Sequence, residues 1–268
     1  MEAAPLLPGI DLTFVVGFLL QGLFAMLRIG AFVISAPVFA ARFVPLPVRI
    51  VIAVALTVPV IAIVPMPEPE SLADLSVVAM VLSEIAIGLC AGLVLQILFA
   101  AAMVAGDWIA ATAGLGFAAQ MDPNTGTQTP VVAQLLFLLM LGLFVAEDGH
   151  LAAIRLIIES YNVIPPGQPI NIMVLVDAGM TAGRNMYEFA AQIMMPVVSI
   201  LLIVNVVIGV ITRSAPTMNI FSFGFPLTLS VTILLLFLSA PSLGTALASK
   251  IPDALNLLTL MIEALGNG

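Results

Sequence analysis

The chain predicts an all-α fold, a polytopic helical membrane protein with broken helices and hairpins, and three observations lead there. Hydrophobic residues make up 62% of its 268 residues and charged residues only 8%, whereas a soluble domain carries about 25% charged residues. Mean hydropathy is +1.24. Charge-free runs approaching or exceeding the roughly 20 residues of a bilayer-spanning helix recur at Leu12–Leu27, Ile50–Pro67, Ile85–Gly106, Pro123–Ala146, Phe189–Thr212 and Ser214–Ser249. Six spans is the simplest count. Such a chain either crosses a membrane repeatedly or is buried on nearly all sides by equally apolar partners.

In the first run Gln21, Ala25 and Arg28 share a helix face by their spacing of four and three. Arg28 either snorkels to the interface or pairs with a carboxylate inside a helix assembly. Between Ile34 and Ile50, Pro37, Pro45 and Pro47 break any continuous helix. Arg42 and Arg49 there are the densest positive charge and point to a cytoplasmic loop. A short span with Pro59 inside it follows over Ile50–Val64, then an acidic loop with Glu68, Glu70 and Asp74.

Ser76–Val104 reads as a longer helix in which Glu84, Gly88, Gly92 and Gln96 recur every four residues on one seam. Small residues at that spacing let backbones approach closely. A carboxylate near a bilayer centre costs roughly 2.5–3.5 kcal/mol on insertion scales, so Glu84 should face protein or water with a partner. That leaves structural glue, an ion-carrying role or an interfacial position. Val131–Ala146 is another span, closed by Glu147-Asp148-Gly149-His150, and Leu151–Ser160 is mildly amphipathic, with Arg155 and Glu159 at i,i+4.

From Asn171 a helical pattern runs to Thr212 with Asp177, Thr181, Arg184 and Glu188 as a polar stripe. Unbroken, it would be roughly 60 Å long, so it either breaks near Pro196 or projects well beyond a bilayer. Asn205, Gly209 and Arg213 repeat a spacing of four. A turn-rich segment with Phe221, Phe223 and Phe225 leads to a last helix over Leu227–Ala248, interrupted by Pro241.

The stretch Gly106–Pro130 interrupts this pattern. Gly114 and Gly116 make a poor helix interior, and Asp122, Pro123, Asn124 and Gly126 supply turn chemistry. Irregular backbone of this kind cannot face lipid, because its N–H and C=O groups would lack partners.

Much chemistry is excluded. A lone Cys90 forms no internal disulfide or multi-thiolate site, and a lone His150 builds no histidine metal site, so no metal or cofactor is expected. A net charge of −8 with one lysine, Lys250, argues against nucleic acid as a partner. Glu2 and Asp11 replace the basic start of a secretory leader, so none is expected. The HExxH, GxSxG, Walker A, CxxC and GxGxxG motifs are missing, and no enzyme is expected. Broken helices beside intramembrane Glu84 and Asp107 point to transport, or to assembly of a transport complex.

Several residue sets then carry a resemblance along almost the entire chain. They are Arg28 with Pro37-Val38-Phe39 and Pro45-x-x-x-Arg49; Glu84-x-x-x-Gly88-x-x-x-Gly92; and Gly106-Asp107, Gly114-Leu115-Gly116, Asp122-Pro123 and Gly149-His150. Later come Asn205-x-x-x-Gly209-x-x-x-Arg213, Ala215-Pro216-x-x-Asn219-x-Phe221 and Gly224-x-Pro226. In these the chain resembles the FliR family of flagellar biosynthetic proteins and their virulence counterparts in type III secretion export gates.

The resemblance implies a structural, non-enzymatic subunit of the bacterial inner membrane at the flagellar basal body. It implies a FliP-like portion over residues 1–185 and a FliQ-like hairpin over 186–268. One copy would close a helical pore of FliP-like and FliQ-like subunits, with an FlhB-like protein outside and unfolded export substrates passing through. It also implies a pore plug loop comprising Gly114, Leu115, Gly116, Phe117, Met121, Asp122 and Pro123, with Phe117 and Met121 occluding the channel. Arg28, Glu84, Asp107, Asn205 and Arg213 become interhelical or intersubunit polar contacts, and Gly88, Gly92 and Gly209 helix-packing positions. The competing expectation is a stand-alone secondary transporter or channel with Glu84 or Asp107 coupling ions.

Overall fold

The computed structural model describes residues 12–41, 43–68, 77–115, 131–214 and 224–267. Seven helices are described in full: α1 (Leu12–Ser35), α2 (Leu46–Ile63), α3 (Val77–Thr112), α4 (Val131–Ala146), α5 (Gly149–Val163), α6 (Ile172–Ser214) and α7 (Phe225–Gly266). The described residues contain no strand, so the all-α expectation holds. Among the described residues, five helices are long and apolar enough to cross a membrane, and counting the broken pair α4–α5 as one span gives six.

Boundaries follow local chemistry where proline acts. Helix α1 outruns its expected end by eight residues, to Ser35, because nothing breaks it before Pro37. The residue preceding a proline is disfavoured in α conformation, which ends the helix there. Pro45, extended at φ −64° and ψ 148°, opens α2, and Pro47 lies in its first turn, where a missing N–H costs nothing. Arg49 donates to the carbonyls of Ala40, Ala41 and Val44 at 3.0–3.2 Å, tying the intervening loop together.

Elsewhere helices pass through residues that propensity would use as breaks. Gly106 to Thr112, expected as irregular chain, is the last part of α3. A Cβ at Gly106 would meet the Ala133 backbone nitrogen at 2.6 Å, so this glycine permits α3 and α4 to touch backbone to backbone. Helix α6 continues through Pro196, and α7 through Pro241 and Pro252. At 43 residues, α6 follows about 65 Å of axis. Of the two alternatives, a break near Pro196 or a helix that outruns a bilayer, the second is the one formed.

The chain forms two compact units interleaved along the sequence. One comprises residues 1–96, 150–180 and 254–268. Its described core contains Phe24, Ile29, Phe32, Ile87, Ile157 and Leu258. Here α1 and α3 pack side by side, and the end of α7 closes on the end of α5, where a Cβ on Gly266 would strike Val163. The other unit comprises residues 97–149 and 181–253. Its core centres on Phe99, whose ring makes edge contacts with Phe137 at 5.8 Å and Phe144 at 5.4 Å.

Candidate functional site

In the first unit the polar face of α1 meets the small-residue seam of α3. Glu84, Gly88 and Gly92 all point toward α1. A Cβ on Gly88 would collide with the Arg28 carbonyl oxygen, and one on Gly92 with Ser35 Oγ and, at 2.8 Å, with the Ala36 nitrogen. This close approach lets the two side chains at the head of the seam reach each other. Arg28 Nε donates to Glu84 Oε2 at 2.8 Å and Nη2 to Oε1 at 3.1 Å, a two-pronged pair. Both residues are sealed from solvent, at 0% and 1% exposure.

A buried pair survives only when its remaining donors and acceptors are also satisfied, and α5 supplies that. Arg28 Nη1 donates to Ser160 Oγ at 3.0 Å, and Nη2 also to the Ile164 carbonyl at 3.0 Å. Four of the five guanidinium hydrogens are thereby engaged. The guanidinium also lies 4.1 Å from the centroid of the Tyr161 ring, a cation–π contact. Tyr161 in turn donates from its hydroxyl to the Ala25 carbonyl at 2.6 Å. Glu84 Oε1 receives a further bond from the Gly167 backbone nitrogen at 3.2 Å. Gly167 has φ +84°, a region that favours glycine, and this brings its N–H to the carboxylate. Gln21, on the same face of α1, donates to the Pro67 carbonyl at 3.0 Å.

Arg28 therefore does not snorkel. It cross-links α1, α3 and the end of α5 through a closed set of bonds, and Glu84 has its charge neutralised and its oxygens occupied. Sequence reasoning named Arg28 and Glu84 but missed Ser160, Tyr161 and Gly167. A tyrosine at the end of a mildly amphipathic helix was the available signal, since a buried phenol needs a hydrogen-bond partner.

The second unit holds the other polar positions. Asn205 Nδ2 donates to the Thr112 carbonyl at the end of α3 at 3.0 Å. Thr228, which sequence reasoning did not single out, donates to the neighbouring Ala113 carbonyl at 3.1 Å. Gly114 follows at φ +79°, the left-handed conformation in which helices commonly end. Leu115 is the last described residue before 131. The expected plug residues Gly116, Phe117, Met121, Asp122 and Pro123 lie outside the described residues.

Asp107 and Arg213 are exposed and make no hydrogen bond or ion pair among the described residues. The expected Arg155–Glu159 pair likewise does not form. Gly209 differs from Gly88 and Gly92, because a Cβ there would meet nothing within 4 Å. Among the described residues no cluster of three or more His, Cys, Asp or Glu side chains could hold a metal ion.

Five or six apolar spans, cross-linked internally by a sealed ion pair, define a multi-pass helical membrane protein. Comparison with known proteins gives its family: residues 19–253 match the model of the bacterial export proteins, family 1, and the chain belongs to that family. It is 32% identical to the flagellar biosynthetic protein FliR of Escherichia coli (strain K12) over 241 residues, 90% of this chain and 92% of that one. It is 27% identical to the flagellar biosynthetic protein FliR of Aquifex aeolicus (strain VF5), over 92% of this chain and 95% of that protein. The secretion system apparatus protein SsaT of Salmonella typhimurium is 23% identical over 63% of this chain and 65% of its own length.

Proposed function

We propose that this chain is a structural subunit of the flagellar type III protein export gate in the bacterial inner membrane, at the basal body. One copy closes a helical assembly of FliP-like and FliQ-like subunits, an FlhB-like protein lies outside it, and unfolded substrates pass through the centre. Residues 1–185 form the FliP-like portion and 186–268 the FliQ-like hairpin. The observation that carries this reading is the near end-to-end similarity to the FliR of Escherichia coli, with 90% of this chain and 92% of that protein aligned.

Two features of the chain support an assembly over a free-standing protein. Helix α6 exposes large apolar side chains from Met173 to Val210, roughly 55 Å of axis, which is more than the roughly 30 Å hydrocarbon core of a bilayer can cover. Asp107 and Arg213 lack partners among the described residues and are assigned to intersubunit contacts. Glu84, held by donors from within its own chain, is poorly placed to couple an ion, which weighs against a secondary transporter.

Within this reading, Gly114 to Pro123 forms the plug, and Phe117 and Met121 occlude the closed pore. Deleting Gly114–Asp122 is expected to leave the assembly intact while the membrane leaks small ions. Collapse of the assembly without leakage would refute the plug. The broader reading is tested by purification in mild detergent, where the chain should emerge at single copy with FliP-like and FliQ-like proteins. Recovery as a stable, active symmetric dimer would overturn it.

A further inference from the structure

Helix α6 changes character along its length. Phe189–Thr212 carries no charge and, at about 36 Å of axis, is long enough to cross the roughly 30 Å hydrocarbon core by itself. Asp177, Arg184 and Glu188 precede it, all exposed and without a hydrogen bond or ion pair among the described residues. Ionised side chains are expelled from the bilayer interior, so the first four turns of α6 extend beyond it into water or protein.

This extension packs on its own chain through Leu175, Ala178, Ala182 and Phe189, which are buried. On the opposite side Met173, Val176, Met180 and Tyr187 are exposed at 49–72%. Together with Gly183 they follow the alternating three-and-four spacing of a coiled-coil seam. A Cβ on Gly183 would meet nothing within 4 Å. A row of large apolar side chains outside a bilayer marks an interaction surface. One with this spacing and a small residue within it receives the ridge of another helix, because the backbones can approach there. Lipid does not supply the cover, since the charges beside the row hold it out of the hydrocarbon.

Charge specifies the partner further. Asp177 and Arg184 stand on the same flank of the row, seven residues apart, which is about 10 Å along the axis. A helix lying in the row is favoured when it carries a cation level with Asp177 and a carboxylate level with Arg184, and disfavoured when the two are exchanged.

We propose that the row Met173, Val176, Met180, Gly183 and Tyr187 is the docking surface for one amphipathic helix of a neighbouring subunit, with a basic and an acidic residue about 10 Å apart along its edge. The inference rests on the reading of this chain as a subunit of an export gate. It adds where on α6, outside the bilayer, a neighbour is held, and in which register.

The test uses the full chain expressed in membranes with its FliP-like and FliQ-like partners and extracted in mild detergent. Gly183→Leu, Met180→Glu and Arg184→Asp are each read for recovery of the partners and for the melting temperature of the chain purified without them. All three sites are open within the chain, so melting is expected to stay at the wild-type level while partner recovery falls several-fold. A photo-reactive side chain in place of Met180 identifies the occupant, and the expected adduct is with a partner helix bearing the two charges. Unaltered recovery in all three variants, or an adduct within the same chain or with lipid, overturns the docking surface while copurification of the wild type keeps the gate reading. A wild-type chain that recovers neither partner removes the gate reading and the proposal with it. Reduced recovery matched by a loss of melting temperature makes the row a folding contact and also overturns the proposal.

Discussion

Glu84 and Asp107 lie on one helix, α3, and are carboxylates in equally apolar surroundings, yet the structure treats them oppositely. Glu84 is buried against Arg28 and the Gly167 N–H, whereas Asp107 is exposed and has no partner among the described residues. The glycines divide in the same way. Gly88 and Gly92 press α3 against α1, while Gly209 on α6 has open space where its side chain would be. Some polar and small residues hold this chain together, and others have no partner among the described residues. A residue of the second kind is where a neighbouring subunit can be met.

The largest effect should come from breaking the sealed pair. Glu84→Ala leaves a buried guanidinium uncompensated, a loss of roughly 3–5 kcal/mol, read as a sharp fall in the folded, membrane-extracted protein and in its melting temperature in detergent. Removing both charges with Arg28→Met and Glu84→Met should cost clearly less than the sum of the single losses. Additive losses would show that the two groups do not act as a pair.

Gly88→Ala should come next. Its Cβ has to displace the backbone carbonyl of Arg28, and overpacking of this kind costs about 1–3 kcal/mol, visible in the same melting measurement. A silent Gly88→Ala would mean that α1 and α3 can separate freely. Tyr161→Phe removes one buried hydroxyl but leaves the ring over Arg28. The Ala25 carbonyl still accepts within α1, so about 1 kcal/mol is expected.

The smallest intrinsic effect belongs to Gly209. Within this chain Gly209→Ala should be neutral or stabilising by up to about 1 kcal/mol through helix propensity. The informative quantity is the difference between that and its effect on copurification with partner subunits. Unchanged stability with reduced partner recovery places a neighbouring backbone against α6 at Gly209. Equal recovery leaves that glycine without a role in packing.

The grouping of Gln21, Ala25 and Arg28 on one face, and of Glu84, Gly88 and Gly92 on another, was legible from spacing alone. Helical periodicity is a local property, and Arg28 does meet the Glu84, Gly88 and Gly92 seam of α3, while Gln21 bonds Pro67 and the Ala25 carbonyl receives Tyr161. Their partners were not legible. Arg28 meets Glu84 across 56 residues and Ser160 across 132, and no local pattern encodes such a pairing. Thr228 was overlooked because a threonine in an apolar helix usually bonds its own preceding turn, as Thr232 does here. Its second contact depends on where α3 ends.

Pro37 and Pro45 act as breaks, as expected, whereas the expected interruption at Pro241 does not occur. Pro37 and Pro45 bound helices, since in a short loop the chain has nothing to gain by continuing. Pro196, Pro241 and Pro252 sit inside helices. In apolar surroundings the alternative is a run of unsatisfied backbone groups, and a helix with one missing bond is the cheaper state.

Composition and run length by themselves determined an all-helical membrane chain, because burying backbone without water leaves a helix as the one local solution. Tertiary structure decided the rest. It joined Arg28 to Glu84, closed that pair with the end of α5, carried α6 and α7 through their prolines, and brought Asn205 and Thr228 to the last carbonyls of α3. Each of these depends on which helices become neighbours, and a distance across space is not written in the spacing of residues along one helix.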